Sequence, residues 1–371
     1  MGERAVSGER VVGLGLCTPI GTTEEMTLAS MRAGLARFAE AAAPGAGEPV
    51  RASRLATLDP SSTRTERMIA LGRAALDGVR ERLKASPTGR VPLYLGLPEP
   101  SLGAPVARES LLGALLSAPP GQAGGALALV GAFEGGRAAF FEALSAAIGD
   151  LRAGRVGSMA VVGAVDSLCD ADSLAALSAA RLHLSPQNRD GRIPGEAAGF
   201  VVVARPGAAA GMGLEALGVV LGVALGAEPA PFASRVPSAA DGLTGVFRAL
   251  RGDEAAGARR VDEVMSCQPG ESFWATELSR AYLRNAAWMP EPLALRAAGE
   301  WLGDAGAGAA PVMLAAALHR RRRRAQAARA AGRAPRALVY GSADGARGRG
   351  GRVGACVVEA AVGGSGGGEG R

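Results

Sequence analysis

The sequence predicts an α/β protein built twice over, and three observations carry that prediction. Short aliphatic runs, apolar enough to be covered on both faces, alternate with stretches whose apolar residues recur at helical spacing. The same order of strand, helix, strand, helix and closing strands runs once before Pro206 and again after it. The two halves share this pattern rather than residues. Composition supplies the third observation. Apolar residues make up 48% of the 371-residue chain and aromatic ones 4%, with 55 glycines. The core is therefore made of small and aliphatic side chains, with elements packed closely. Strands alternating with helices in both halves argue for α/β architecture. The length suffices for two core-building units or one large double-layered unit.

Val11–Leu16 reads as a short strand ending before Pro19. Thr22 or Thr23 then caps a helix over Glu24–Gly34, with Glu24 and Glu25 near its positive end. Ser61 or Ser62 caps a second helix through Arg82, where Met68, Leu71, Ala75 and Val79 keep helical spacing. Val91–Leu97 is a strand that tolerates Pro92 only near its start. Ala126–Val130 is another strand, and a glycine turn leads from it into the helix Arg137–Ala153. Met159–Gly163 and Phe200–Val203 are further strands, the latter after the loop SPQNRDGRIPGEAAG. In the second half, Leu214–Leu225 reads as a strand, Ser238–Arg251 as a helix, Val261–Met265 as a strand and Ser272–Asn285 as a helix. Gly306–Arg329 is one more helix, and Ala337–Tyr340 and Val353–Ala360 close the chain as strands. The halves divide as 1–205 and 206–361, and the glycine-rich tail 362–371 is expected to be disordered.

The formal charge of +6 is concentrated locally. Arg320, Arg321, Arg322, Arg323 and Arg324 form an unbroken run, and Arg329, Arg333, Arg336, Arg347, Arg349 and Arg352 follow. Without these the body of the chain is mildly acidic. The run reads as a solvated helix end or as a surface for an acidic partner. No stacking aromatics are interleaved there, which argues against nucleic acid. Cys17, Cys169, Cys267 and Cys356 lack CxxC spacing, and with His183 and His319 they assemble no zinc pattern. Neither a signal peptide nor a membrane span is evident, so a cytoplasmic location is the expectation. Gly13-Leu14-Gly15 is no dinucleotide fingerprint, because the third glycine position is Thr18, followed by Pro19.

NRDGRIPGEAAGFVVV, Asn188–Val203, resembles the R-D-G-x-x-x-G-[ED]-G-A-G motif of β-ketoacyl-acyl-carrier-protein synthases, of the thiolase-like superfamily. Other segments resemble the family in the same order. VVGLGLCTPIGTTEEM resembles its opening strand and turn, and RTERMIALGRAALDGV its early helix. VDEVMSCQPGES stands where V-D-Y-V-N-A-H-G-T-G-T would lie. GEWLGDAGAGAAPVMLAAAL resembles G-H-x-x-G-A-A-G-A with its helix, and ALVYGSADGARGRGGRVGACVVEA the closing strands and glycine loop. The resemblance implies a five-layer α-β-α-β-α fold of two duplicated halves.

It also implies a thiol at the N-terminus of a buried helix, where the helix dipole and backbone N–H groups stabilise a thiolate and an oxyanion. That position matches Phe133 by the pattern C-x-S-G, or Arg137 by counting back from Gly154. The first of two histidines falls on Cys267 or Gln268, the second on Glu300, and the supporting lysine on Leu295. All of these are replaced, and the gatekeeper loop G-F-G-G-x-N is altered to Gly341–Gly345. Glu134 and Glu300 facing each other, or Cys267 as a displaced thiol, would be substitutes. Otherwise Glu134 caps its helix and pairs with Arg137. Cys17 and Cys356 read as buried small apolar residues. Cys169 is a candidate neighbour of the pocket, and His183 and His319 are expected at the surface. Asp190 and Glu196 are expected in the loop before the last strand of the first half, Glu196 paired with Arg189 or Arg192. Gly191, Gly195 and Gly199 permit tight turns and close approach. The run Ser101–Gly125 is shorter than the family's segment, so a truncated or open acyl tunnel is expected.

The function so implied is that of a non-condensing homologue similar to chain-length-factor subunits, in fatty-acid or polyketide metabolism, with no cofactor. It would form a homodimer, or a heterodimer with an active ketosynthase, through the strand Ala126–Val130. An acidic acyl-carrier protein would meet Arg320–Arg324. The alternatives are an active acyltransferase with substitute residues, or an interaction protein with a closed pocket.

Overall fold

The computed structural model describes residues 8–43, 48–84, 90–117, 126–327, 334–345 and 350–361, without the side chains of Glu81 and of 320–327. The tail 362–371 and Arg329, Arg333, Arg347 and Arg349 lie outside the described residues, as do the side chains of Arg320–Arg324. The strands are β1 Glu9–Cys17, β2 Ala39–Ala41, β3 Val50–Ala52, β4 Arg90–Gly96, β5 Ala126–Phe133, β6 Met159–Ser167, β7 Glu196–Ala204, β8 Gly218–Glu228, β9 Glu263–Ser266, β10 Leu295–Ala297, β11 Arg336–Ser342 and β12 Gly351–Ala360. The helices are α1 Glu24–Arg32, α2 Arg64–Asp77, α3 Arg80–Leu83, α4 Arg108–Leu116, α5 Ala139–Arg152, α6 Ala171–Ala179, α7 Pro206–Gly211, α8 Asp241–Gly252, α9 Ser272–Arg284, α10 Gly299–Leu302 and α11 Ala309–Ala327.

Ten strands form one ladder in the order β10-β9-β11-β12-β8-β1-β7-β6-β4-β5. Its two five-strand halves have the same pairing. In the first, β1 pairs antiparallel with β7 and β7 antiparallel with β6, while β4 pairs parallel with β6 and β5. In the second, β8 pairs antiparallel with β12 and β12 antiparallel with β11, while β9 pairs parallel with β11 and β10. The duplication inferred from pattern is thus a duplication of topology. The halves meet where β1 and β8 share three residue pairs, Glu9↔Val220 to Val11↔Gly218.

Side-chain alternation along each strand divides the core into layers. Val161, Phe200 and Val202 pack outward on Met68 and Leu71 of α2 and on Leu111 and Leu115 of α4. Their neighbours Val162, Val201 and Val203 turn inward onto α5 and α11. In the second half, Val264, Leu338 and Val357 pack outward on α8 and α9, whereas Met265, Val339 and Val358 join the same central cluster as α5 and α11. The result is helix, half-sheet, two central helices, half-sheet, helix. Close approach requires small residues in the middle: a Cβ on Gly354 would come within 2.5 Å of Phe141 Cβ. Burying each large apolar side chain there stabilises the fold by about 1.5–3 kcal/mol.

The element boundaries correct several expectations. The second helix is capped by Thr63 rather than Ser61 or Ser62, because Thr63 and Glu66 form a reciprocal capping box. The strand expected over Leu214–Leu225 begins at Gly218, after the short helix α7. The short run after β4 is not such a correction: it forms a helix, α4, whose Leu111 and Leu115 cover α2. Glu196 is the first residue of β7 rather than a loop residue. β5 runs on to Phe133, which places Phe133 at a strand end.

Candidate functional site

β5 delivers the chain to the N-terminus of the central helix α5. The Leu97 amide donates to Phe133 O at 2.8 Å and the Gly136 amide to Leu97 O at 3.1 Å, which pins the turn. Gly136 takes φ +53°, and a Cβ there would sit 2.8 Å from Glu99 Cγ, so glycine is required on both counts. A 3₁₀ turn, Gly136–Ala138, leads into the α-helix.

Arg137 occupies this turn and is buried. Its Nη1 donates to both carboxylate oxygens of Asp304 at 2.9 and 3.0 Å, its Nη2 to Asp344, and its Nε to Ser342 O at 3.0 Å. Its guanidinium lies 4.7 Å over the Trp274 ring. Arg192, fully buried, completes the arrangement: its Nη1 donates at 2.7 Å to both Asp304 and Asp344, and its Nε at 2.6 Å to Glu271. It lies 5.0 Å from the Phe232 ring. Arg is suited to this position because its planar fork engages several carboxylates and stays charged when desolvated.

Burial pushes the Asp344 carboxyl up, but Arg192 and Arg137 outweigh it and hold Asp344 below the usual carboxylate range. Burial raises Glu271. Glu99, which accepts from the Asp344 and Gly345 amides, is pushed to about 7 by burial and then by the Asp344 charge. Glu277 is pushed to about 7 by burial and accepts from Ser342 Oγ at 2.8 Å. The elbow is therefore a buried lattice of arginines and carboxylates bound to one another. It presents neither a thiol nor an imidazole.

Cys267 and Gln268 lie beside this lattice, both buried. Gln268 Nε2 donates to Ser342 O at 3.2 Å. Burial raises the Cys267 thiol well above its ordinary value, which disfavours a thiolate. Glu134 does not pair with Arg137; it is exposed and bound to Arg108 at 2.9 Å, because Arg137 is drawn inward by Asp304 and Asp344. Glu300 is also exposed, accepts from the Ala297 amide and lies 3.9 Å from Arg296, so Glu134 and Glu300 form no facing pair. Leu295 is exposed on the edge strand β10.

The motif residues serve packing and capping. Glu196 pairs with Arg67 of α2, not with Arg189 or Arg192: both contacts are 2.8 Å, and the Leu55 amide and Ser167 Oγ complete its shell. Asp190 accepts from the Ser272 amide and hydroxyl at the start of α9. Cβ atoms on Gly191, Gly195 and Gly199 would meet His183 O at 2.2 Å, Leu302 O at 1.9 Å and Pro311 Cβ at 2.8 Å. Cys169 is no neighbour of the elbow; it lies by Glu196 and Arg67, its thiol donating to Ser53 O at 3.3 Å. His183 is partly buried and lines a surface groove, and His319 hydrogen-bonds to Arg32. Arg336 pairs with Glu359 at 2.9 Å, and Arg352 with Glu142.

Sequence reasoning missed Asp304, Asp344, Glu271, Glu99 and Arg67. Asp304 and Asp344 stand among glycines and alanines at strand and helix ends, and a lone carboxylate in such a run was the available signal. A groove of about 860 Å³, lined by Phe232, Phe273, Arg181 and Arg235, reaches inward as far as Asp344 and Gly345.

No family model and no curated protein matches the chain. Solved structures do. An oxazolomycin ketosynthase domain, OzmH KS7, from Streptomyces albus JA3453 matches at TM-score 0.72 and 17% identity, over 96% of this chain and 75% of that one. The ishigamide ketosynthase/chain length factor matches at TM-score 0.65 and 19% identity, over 95% and 99%. The ketosynthase complex AntDE:AntF, a type II polyketide synthase ketosynthase with its acyl-carrier protein, matches at TM-score 0.73 and 14% identity, over 96% and 100%. The fold of this chain is the thiolase-like fold of the ketosynthases.

Proposed function

We propose that this chain is a non-condensing, ketosynthase-like subunit of an acyl-assembly system of fatty-acid or polyketide type, and that it works beside an active ketosynthase. The observation that carries the reading is Arg137: it stands at the N-terminus of the central helix, one of the two positions where the resemblance calls for a thiol, and is ion-paired on both sides. A guanidinium held between two carboxylates is no nucleophile. The remaining positions agree: Cys267 and Gln268 supply no imidazole, and Glu300 and Leu295 face solvent. Glu134 and Glu300 are engaged elsewhere and exposed, which argues against an acyltransferase using them as a dyad. The likeness to a ketosynthase/chain length factor and to a carrier-protein complex supports the setting.

In this reading residues 1–205 and 206–361 are the two halves, and Asp190, Gly191, Gly195, Glu196 and Gly199 hold the scaffold. The partner, a second copy or an active ketosynthase, pairs along β5, a sheet edge with Val130 48% exposed; an uncovered edge of this kind is an aggregation hazard. The acyl-carrier protein meets Arg320–Arg324 through charge complementarity. Among the described residues no helix is long and apolar enough to cross a membrane, and we place the protein in the cytoplasm. The buried lattice also favours a second reading, an interaction protein outside acyl metabolism that keeps the fold as a scaffold.

The test combines intact-mass measurement after incubation with an acyl thioester and co-purification with a ketosynthase that carries Cys and two His. The expected result is no adduct and a stoichiometric complex. An acyl adduct on Cys267 overturns the proposal, and failure to pair with any such ketosynthase favours the second reading.

A further inference from the structure

Glu99 lies on the loop after β4 and lines a cavity of about 230 Å³ together with Pro98, Pro100 and Val106. Its carboxylate reaches across to the second half of the chain. Oε2 accepts from the Asp344 amide at 2.8 Å and Oε1 from the Gly345 amide at 2.9 Å. Gly345 takes φ +76°, so the carboxylate grips two consecutive amides of a left-handed turn. Asp344 and Gly345 are also the inner end of the 860 Å³ groove. The Glu99 side chain and the turn it grips are therefore the wall between the cavity and the groove.

We propose that Glu99 is a proton-sensitive latch: ionised, it holds the Asp344 and Gly345 amides, and protonated, it loosens that grip and opens the wall between the cavity and the groove at Gly345, while Arg137 and Arg192 keep the Asp344 side chain in place. The groups facing Glu99 explain why its charge state is poised. Asp344 disfavours the anion and Arg137 favours it, but both arms of Arg137 are already given to Asp304 and Asp344. Arg192 is shared among Asp304, Asp344 and Glu271. On the cavity side, Arg64 is bound to Asp166 and Arg108 to Glu134. Beyond Gly135, Glu142 is bound to Arg352. Glu99 thus faces a lattice whose positive charges are bound to other carboxylates, and its ionised form rests on the nearby Arg137 charge and on two amide hydrogen bonds, the only hydrogen bonds its side chain accepts among the described residues. Its carboxyl is raised to about 7, so the latch responds near neutral pH. A neutral acid accepts these two amides more weakly than a carboxylate does.

Amide exchange by mass spectrometry, corrected for the intrinsic pH dependence of exchange, tests this on the full chain. Protection of the segment containing Asp344 and Gly345 should fall about tenfold as pH drops from well above 7 to well below it, the difference between a charged and a neutral acceptor. In Glu99→Gln the protection should sit at the low level at every pH. A step that persists unchanged in Glu99→Gln, or its absence in the native chain, overturns the proposal. Should the variant fail to fold, the carboxyl-carbon chemical shift of Glu99 in the native chain decides. Titration near pH 7 supports the latch, and titration in the ordinary carboxylate range overturns it.

Discussion

The two central helices begin at matching elbows that are furnished in opposite ways. Each is a 3₁₀ turn whose first residue is a glycine at positive φ: Gly136 at +53° before α5, and Gly306 at +50° before α11. At the second elbow the helix end meets carboxylates. Asp166 accepts from the Ala307 amide at 3.0 Å, and Asp304 from the Gly306 amide at 3.1 Å. Negative charge at a helix N-terminus is favourable. The Asp166 charge is also neutralised by Arg64 at 2.8 Å. At the first elbow the helix end instead carries a cation, Arg137, which the dipole disfavours. It persists there because Asp304 and Asp344 surround it. The comparison teaches that each elbow is gripped from the opposite half, but at the second the carboxylate reaching across is one the helix end favours, whereas at the first a cation is held against the dipole by Asp304 and Asp344.

Removing Arg137 should break that comparison most severely. Arg137→Met leaves Asp304 and Asp344 without one of their two arginines, and loss of a partner from a buried ion pair costs about 3–5 kcal/mol. Urea unfolding should show a loss of that order, and a change below about 1 kcal/mol would mean that the lattice is not what holds the first elbow.

At the second elbow, Asp166→Asn keeps an acceptor for the Ala307 amide but deprives Arg64 of its counter-charge. Because Arg64 keeps the Leu102 and Ala104 carbonyls as acceptors, thermal unfolding should show a smaller loss, about 1–3 kcal/mol. An effect as large as that of Arg137→Met would erase the asymmetry.

Glu277 sharpens the picture through pH. Its folded value of about 7 lies above the ordinary 4.5, so the folded state binds the proton more tightly than the unfolded one. Its contribution is fully present below pH 4.5 and is lost as pH rises through 7. The unfolding midpoint of the native chain should fall between pH 5 and 8, and Glu277→Gln should flatten that decline; an unchanged slope in the variant would exclude Glu277 as its source.

The smallest effect belongs to Glu134. It sits at the first elbow in sequence but faces solvent, paired with exposed Arg108. Glu134→Gln should alter stability by less than about 1 kcal/mol in the same urea assay. A larger loss would bring Glu134 into the elbow after all.

Much of the fold was legible along the chain. The aliphatic runs marked the strands of the ten-stranded ladder, apart from the short β10, because strands covered on both faces leave no room for polar residues; the small pair β2 and β3 carries no such run. Boundaries were less legible, as at Thr63, where a capping box two residues further on outcompeted the serines. The site was legible as a place and not as a chemistry. Glycines mark the turn before α5 in the sequence, and Glu134 stands there as a charged group, but it is Arg137 that turns inward. Nothing near Arg137 in sequence shows why, since its partners are 167 and 207 residues away. For the same reason the sequence offers Glu196 only the nearby Arg189 and Arg192, whereas Arg67, 129 residues distant, holds it.

The sequence by itself determined the doubled α/β order, the small-residue core and the absence of cysteine or histidine from the turn before the central helix. Those properties are local: they depend on side-chain periodicity, on volume and on which residue occupies one position. Only the tertiary structure decided that Arg137 and Arg192 share Asp304 and Asp344 in the interior, and that Glu99 closes a turn in the opposite half. Buried charges are tolerable only with partners, and those partners come together only when the two halves fold around the same pair of helices.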